Sequence, residues 1–304
     1  MKTTKYILAL SFLISLGAKA QVTSSFTYTQ YMDNLTPINP AYSLLDPNDS
    51  ISAVARKQYV GVTGSPTTYM INGSMPIASI NGAAGVIIQN DQLAIENQTL
   101  ANVFFAKAIH TGENSFLAVS MNAGIYTYKA NYTQIANIDP NDPNFSTNVS
   151  QTNPNIGFGV MYYTPKYYFG VSLPNLTFAS LGAAGTNQAN NNFRNNYYAT
   201  GAYLFDLGDG FDLKPATLIG YSRGTPITAD ISGTLYLKGT LGIGVNYRTT
   251  NEAAGILSLN FDSVHIGYSY QFGTNSGNLA GFNNATHEVT LTYRIGSVKT
   301  PKLL

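Results

Sequence analysis

The sequence has no cysteine. That excludes a disulfide framework and a lipid anchor on a cysteine after a leader, so hydrogen bonding and apolar burial must supply the stability. Charge is scarce as well: Asp, Glu, Lys and Arg make up 10% of the chain, where soluble domains carry roughly 25%. A water-facing surface is normally far more charged than this. The net charge of +1 argues against nucleic acid as a partner, because phosphate neutralisation needs a basic patch. Beyond the N-terminal leader no segment approaches about 18 uninterrupted apolar residues, which excludes spanning helices. Histidines number 3 and form no cluster for a metal, and no glycine-rich loop leads into a helix to cradle phosphate. Neither a cofactor nor an enzymatic activity is expected.

The chain opens with Lys2 and Lys5, an apolar run from Tyr6 to Leu16, and small residues ending at Ala20. Charge, short apolar core and A-x-A site in that order read as a secretory signal peptide over 1–20. The run falls short of the roughly 20 residues of a spanning helix, which disfavours a retained anchor. The mature chain is expected to begin at Gln21.

Glycine and aromatics are plentiful, with Gly 28, Tyr 22 and Phe 15. Apolar residues recur with a period of two. Val289, Leu291, Tyr293 and Ile295 alternate with Glu288, Thr290, Thr292 and Arg294, and Val264, Ile266, Tyr268 and Tyr270 alternate with His265, Gly267 and Ser269. These are strands with one apolar and one polar face. Strands are expected near 51–60, 67–75, 83–90, 98–109, 115–129, 155–163, 167–173, 196–206, 211–222, 227–237, 240–248, 253–261, 263–272 and 286–296. An even number places both ends on the periplasmic side, with short turns there and longer loops outside. The three long connections, Ala130 to Pro154, Pro174 to Asn195 and Gly273 to Ala285, all fall on the outer side. The expectation is an all-β, 14-stranded antiparallel transmembrane outer-membrane β-barrel over 51–296, with a plug-like segment over 21–50 and a tail over 297–304. A soluble sandwich or propeller also alternates, but it needs more surface charge and usually repeats a unit.

The Asp-Pro-Asn-Asp pair at 46–49 and 139–142 is ordinary turn chemistry, since calcium needs more oxygen ligands. His110 and His265 are expected near the periplasmic rim and His287 near the outer rim, too far apart to share a nucleophile and base geometry. The stretch from Gln21 to Ser50 contains Pro37 and Pro40 and does not fit a barrel wall, because proline lacks a ladder donor. Its aromatic content favours a segment packed into or under the lumen over a disordered leader.

These residues resemble the PorP/SprF family of the Bacteroidetes type IX secretion and gliding machinery. The likeness runs through Phe26, Gln30-Tyr31-Met32, Asn39-Pro40-Ala41-Tyr42, Arg56 to Gly61, Gly64-Ser65-Pro66, Asn90-Asp91, Asp142 to Phe145, Pro154 to Gly159, Tyr168 to Ser172, Pro174-Asn175-Leu176 and His287 to Tyr293. Tyr59 stands where the family commonly has Trp, and the tail from Ser297 follows the last strand where many barrels end. The resemblance implies an integral outer-membrane protein that supports secretion and cell-surface attachment of a large secreted adhesin through its C-terminal domain. It also implies links to periplasmic components of the gliding machinery. The outer loops would supply the partner contacts, with Tyr132, Phe145, Phe178, Phe193 and Phe282 as candidate residues; packing of those side chains into a lid is the alternative. Asn39, Pro40, Ala41 and Tyr42 would belong to the plug. The rival is a transporter or porin for small or hydrophobic molecules, since 14 strands with an Asn-Pro-Ala segment also resemble the long-chain fatty-acid transporters.

Overall fold

The computed structural model describes residues 27–134, 147–177, 193, 195–223, 225–274, 285–296 and 303. The leader, the Phe26 position and most of the tail lie outside these residues. Fourteen antiparallel strands close a barrel: β1 Asp49–Lys57, β2 Thr67–Ile77, β3 Gly82–Leu93, β4 Glu96–Gly112, β5 Ser115–Ala130, β6 Val149–Tyr163 and β7 Tyr167–Thr177. Then come β8 in two stretches, Asn196–Tyr203 and Phe205–Gly208, β9 Phe211–Ser222, β10 Thr228–Leu237, β11 Leu241–Arg248, β12 Glu252–Phe261, β13 Val264–Gly273 and β14 Thr286–Ile295. Each strand pairs with its sequence neighbours, and β1 pairs with β14 from Asp49–Ile295 to Lys57–His287, which closes the sheet. The break in β8 falls where Pro215 of β9 offers no amide, between the pairs Ala202–Ala216 and Phe205–Leu213. The register is the same on both sides, so this is one strand.

Alternation decides the two faces. Leu291 is 46% exposed and Thr290 2%, so the apolar set faces the bilayer and the polar set the lumen. Outward aromatics gather at both ends of the wall, Tyr69, Tyr197, Tyr221, Tyr247 and Tyr270 toward the outside and Phe205, Phe211, Phe261 and Tyr293 toward the periplasm. This is the arrangement of aromatic girdles at the two membrane interfaces. Among the described residues no helix is long and apolar enough to cross a membrane.

Several strand ends differ from the sequence reading. β1 stops at Lys57, because Tyr59 and Gly61 take left-handed φ of 47° and 98° in the following turn. β3 and β4 run on to a two-residue turn at Ala94 and Ile95. β6 begins at Val149 and β7 ends at Thr177, well past the prolines that suggest loops. Pro154 is tolerated because it pairs only with Ile125 of β5, beyond the last β6–β7 pair at Asn155–Thr177. Pro174 sits in a β7 bulge between Ser172 and Asn175.

The outcome is a lopsided barrel. β4 and β5 have 17 and 16 residues and β11 has 8. At about 3.4 Å per residue and a tilt of roughly 40°, these heights are roughly 44 Å and 21 Å, against an apolar band of about 25 Å. The excess is an outer ridge, and its outward face turns polar. Asn90 donates to Thr99 Oγ1 at 2.9 Å and the Thr127 and Thr152 hydroxyls meet at 2.9 Å, above lipid-facing Ile88, Val103 and Ile125.

Candidate functional site

The lumen is occupied. Residues 27–46 are almost entirely buried inside the barrel, and their apolar side chains make a core of their own. Tyr28, Tyr31, Met32, Leu35, Ile38 and Tyr42 pack on wall residues such as Met70, Met161, Tyr168 and Leu218, and Leu303 of the tail joins them. A polar lumen alone would not accept such a segment, so the wall supplies apolar positions where it docks. Burial pushes the Tyr28, Tyr31 and Tyr42 phenols above their ordinary range, keeping them neutral donors. Tyr28 donates to the Asn34 carbonyl and Tyr42 to the Met32 carbonyl, the latter at 3.2 Å.

Charged side chains pin the segment. Glu288 is fully buried, accepts the amides of Thr29 at 2.9 Å and Gln30 at 2.8 Å, and pairs with Arg56 at 2.8 Å. Arg56 and Glu288 face each other across the β1–β14 seam, and Arg56 also donates to Thr29 Oγ1 at 3.0 Å and Gln271 Oε1 at 2.8 Å. Lower down, Asp33 accepts from Tyr236 at 3.0 Å and from Lys214 at 3.4 Å, and His265 Nε2 lies 3.7 Å from it. Lys214 also donates to the Met32 carbonyl at 2.9 Å. Toward the periplasm Arg294 holds Asp46 at 2.7 Å. Removing one partner of such a buried pair costs about 3–5 kcal/mol, because the other charge is left buried and uncompensated.

The predicted plug residues lie together against β6 and β7. Asn39 caps the 3₁₀ turn Pro40–Leu45 by accepting the Ala41 amide at 3.2 Å, with Pro40 in the first turn. Its amide nitrogen donates to the carbonyls of Val160 at 3.2 Å and Val171 at 3.4 Å. Gly159 makes this approach feasible, since a side chain there would overlap Asn39 and Ser120; Gly267 does the same for Gln30. Tyr42 sits edge-on to Tyr168 at 5.5 Å. A polar pocket of about 20 Å³ lies between the segment and strands β1, β2 and β14, room for a water and little more.

Of the predicted outer-loop residues, Phe145, Phe178 and Phe282 lie outside the described residues. Tyr132 stands in a short turn beyond β5, packed with Val149 and Tyr126 around Tyr128, Ala130 and Phe193. Phe193 is 1% exposed and lies edge-on to Tyr126 at 5.2 Å. The inner face of the ridge is therefore aromatic, and Phe193 is enclosed in it.

The model of the type IX secretion system membrane protein PorP/SprF family matches residues 20–293. The chain belongs to the PorP/SprF family. With its lipid-facing apolar wall it is an integral outer-membrane β-barrel of the type IX secretion system. No curated protein matches this PorP/SprF chain. Among solved structures it is similar to the outer membrane protein Omp33 of Acinetobacter baumannii, at 10% identity and a TM-score of 0.47, covering 83% of this chain and 99% of that one. A TodX mutant, described as a monoaromatic hydrocarbon channel, has 9% identity and a TM-score of 0.47 over 94% and 98% of the two chains. The KdgM porin has 10% identity and a TM-score of 0.41 over 81% and 99%.

The histidines of the PorP/SprF barrel stay apart. His265, the second residue of β13 at its periplasmic end, is 3% exposed and points into the lumen beside Asp33. His287 faces outward and shares a 2.8 Å hydrogen bond with Tyr268. Among the described residues no group of acidic or histidine side chains is placed to hold a metal. Sequence reasoning missed Arg56, Glu288, Lys214 and Arg294 as lumen locks, although each falls on the polar face of its strand. In a chain with so few charges, that placement was the available signal.

Proposed function

We propose that this protein is the outer-membrane partner of a large secreted adhesin, supporting its export and holding its C-terminal domain at the cell surface, with links to gliding through periplasmic components. The observation that carries this reading is the ridge raised over an occupied lumen. A barrel whose interior is filled has its outer surface left for function, and there β4 to β6 raise a ridge braced on its inner side by the packed aromatics Tyr128 and Phe193. Buried aromatics dominate interface energies, and the long loops add Phe145, Phe178 and Phe282. The transporter alternative needs a continuous path, and the pinned segment over 27–46 weighs against one.

The test is a combined Phe145→Ala, Phe178→Ala and Phe282→Ala variant that still inserts as a heat-modifiable barrel. The expected result is loss of the adhesin from the surface and from native-membrane pull-downs, with barrel conductance unchanged. Retained adhesin with altered conductance would refute docking on the loops. It would move the partner site to the periplasmic turns and the tail from Ser297 to Leu304.

A further inference from the structure

At the level of the outer aromatic girdle the wall departs from regular pairing around the Pro174 bulge. The β7–β8 ladder is regular as far as Ser172–Tyr198 and then skips to Asn175–Asn196, because the bulge at Pro174 inserts a residue into β7. Beside that lapse lies a groove of about 500 Å³ across β6 to β9, within the roughly 300–1,000 Å³ of small-molecule sites. Its sides are Phe158, Val171, Ala199 and Ile219, and Phe158 and Val171 are 47% and 58% exposed, on the lipid side of the wall. Tyr197 and Tyr221 stand at the outer end with ring centroids 6.0 Å apart, each one residue from the outer end of its strand. Gly159 contributes backbone alone, and behind it sits the Asn39 amide of the lumen segment.

We propose that this groove is a lipid-binding site that holds one acyl chain of an outer-leaflet lipid, with the headgroup beside the Tyr197 and Tyr221 hydroxyls. The volume and the apolar lining suit a hydrocarbon chain, and tyrosine prefers the interface where headgroups sit. Bulk acyl chains already satisfy an apolar wall, so retention comes from shape fit along the groove and from the polar end. A polypeptide is a poor occupant. Its backbone groups would enter the hydrocarbon zone unpaired, and β6 to β9 are already paired on both edges.

The experiment delipidates the full barrel by repeated detergent exchange, adds dipalmitoyl phosphatidylethanolamine, and counts adducts by native mass spectrometry. A single retained lipid is expected. Ala199→Trp should lower the bound fraction at least about tenfold by overfilling the site, whereas Val289→Trp on β14 should leave it unchanged. No retained lipid, or equal retention in Ala199→Trp, overturns the proposal. Because the chain has no cysteine, Ala199→Cys labelled with bimane gives an independent reading in an otherwise intact wall. Quenching by phosphatidylethanolamine brominated in its chains should outlast exchange into unbrominated lipid. Loss as fast as at Val289→Cys overturns the site, as does an apolar protein segment cross-linked to the introduced thiol in place of lipid.

Discussion

Replacing Glu288 by alanine strikes the point where the lumen segment is held most tightly. The carboxylate, fully buried, accepts two backbone amides and one guanidinium within 2.9 Å. Its removal leaves Arg56, itself 2% exposed, as an uncompensated buried charge, a loss of about 3–5 kcal/mol. The orphaned Thr29 and Gln30 amides add about 1–3 kcal/mol each unless water reaches them. The wall ladders do not depend on this carboxylate, so the loss falls on the docking of the segment. Taking the buried-charge term alone, the balance between docked and released segment shifts roughly 140- to 4,000-fold, at about 1.4 kcal/mol per tenfold. Planar-bilayer conductance should rise, and chymotrypsin should cut at Tyr28, Tyr31 or Tyr42, while heat-modifiability on gels stays normal. Glu288→Gln keeps an acceptor for the amides and should open less. A Glu288→Ala barrel that remains closed and protected would refute the reasoning.

Deleting residues 21–48 should raise conductance more than any point change, and equal conductance with and without the segment would mean that it does not obstruct the lumen. Leu291→Arg places a charge against lipid at a cost of roughly 2–4 kcal/mol and should impair insertion, measured by heat-modifiability; Thr290→Arg, pointing at Gln30, should insert and instead raise conductance. Identical behaviour of the two would mean a register wrong by one residue. Gly267→Val should loosen the segment because its side chain meets Gln30 and Thr290, whereas Gly233→Ala meets nothing within 4 Å and should be silent in the same bilayer assay.

The barrel was legible because a wall with lipid on one side and polar groups on the other enforces the period of two; Leu291 against Thr290 and Tyr268 against Ser269 are read directly from the chain. Strand ends were less so. Pro154 and Pro174 look like breakers, and only the pairing shows that one lies past the last β6–β7 pair and the other in a bulge. Asn39 to Tyr42 stood out as foreign to a wall, yet the Val160 and Val171 carbonyls and the Tyr168 ring that hold them come from strands over a hundred residues away. Glu288 meeting Thr29, 259 positions apart, is a consequence of closure that no local pattern contains. For Phe193 the sequence left docking and packing open, and its place beside Tyr126 depends on how far β5 rises.

The Arg56–Glu288 pair straddles the seam that joins the first strand to the last, and the same two side chains grip Thr29 and Gln30. Zipping β1 onto β14 therefore assembles the receptor for the segment, and the segment in turn hydrogen-bonds the pair that the zipping buries. Closure of the wall and seating of the segment are thereby coupled, since each supplies contacts that the other needs.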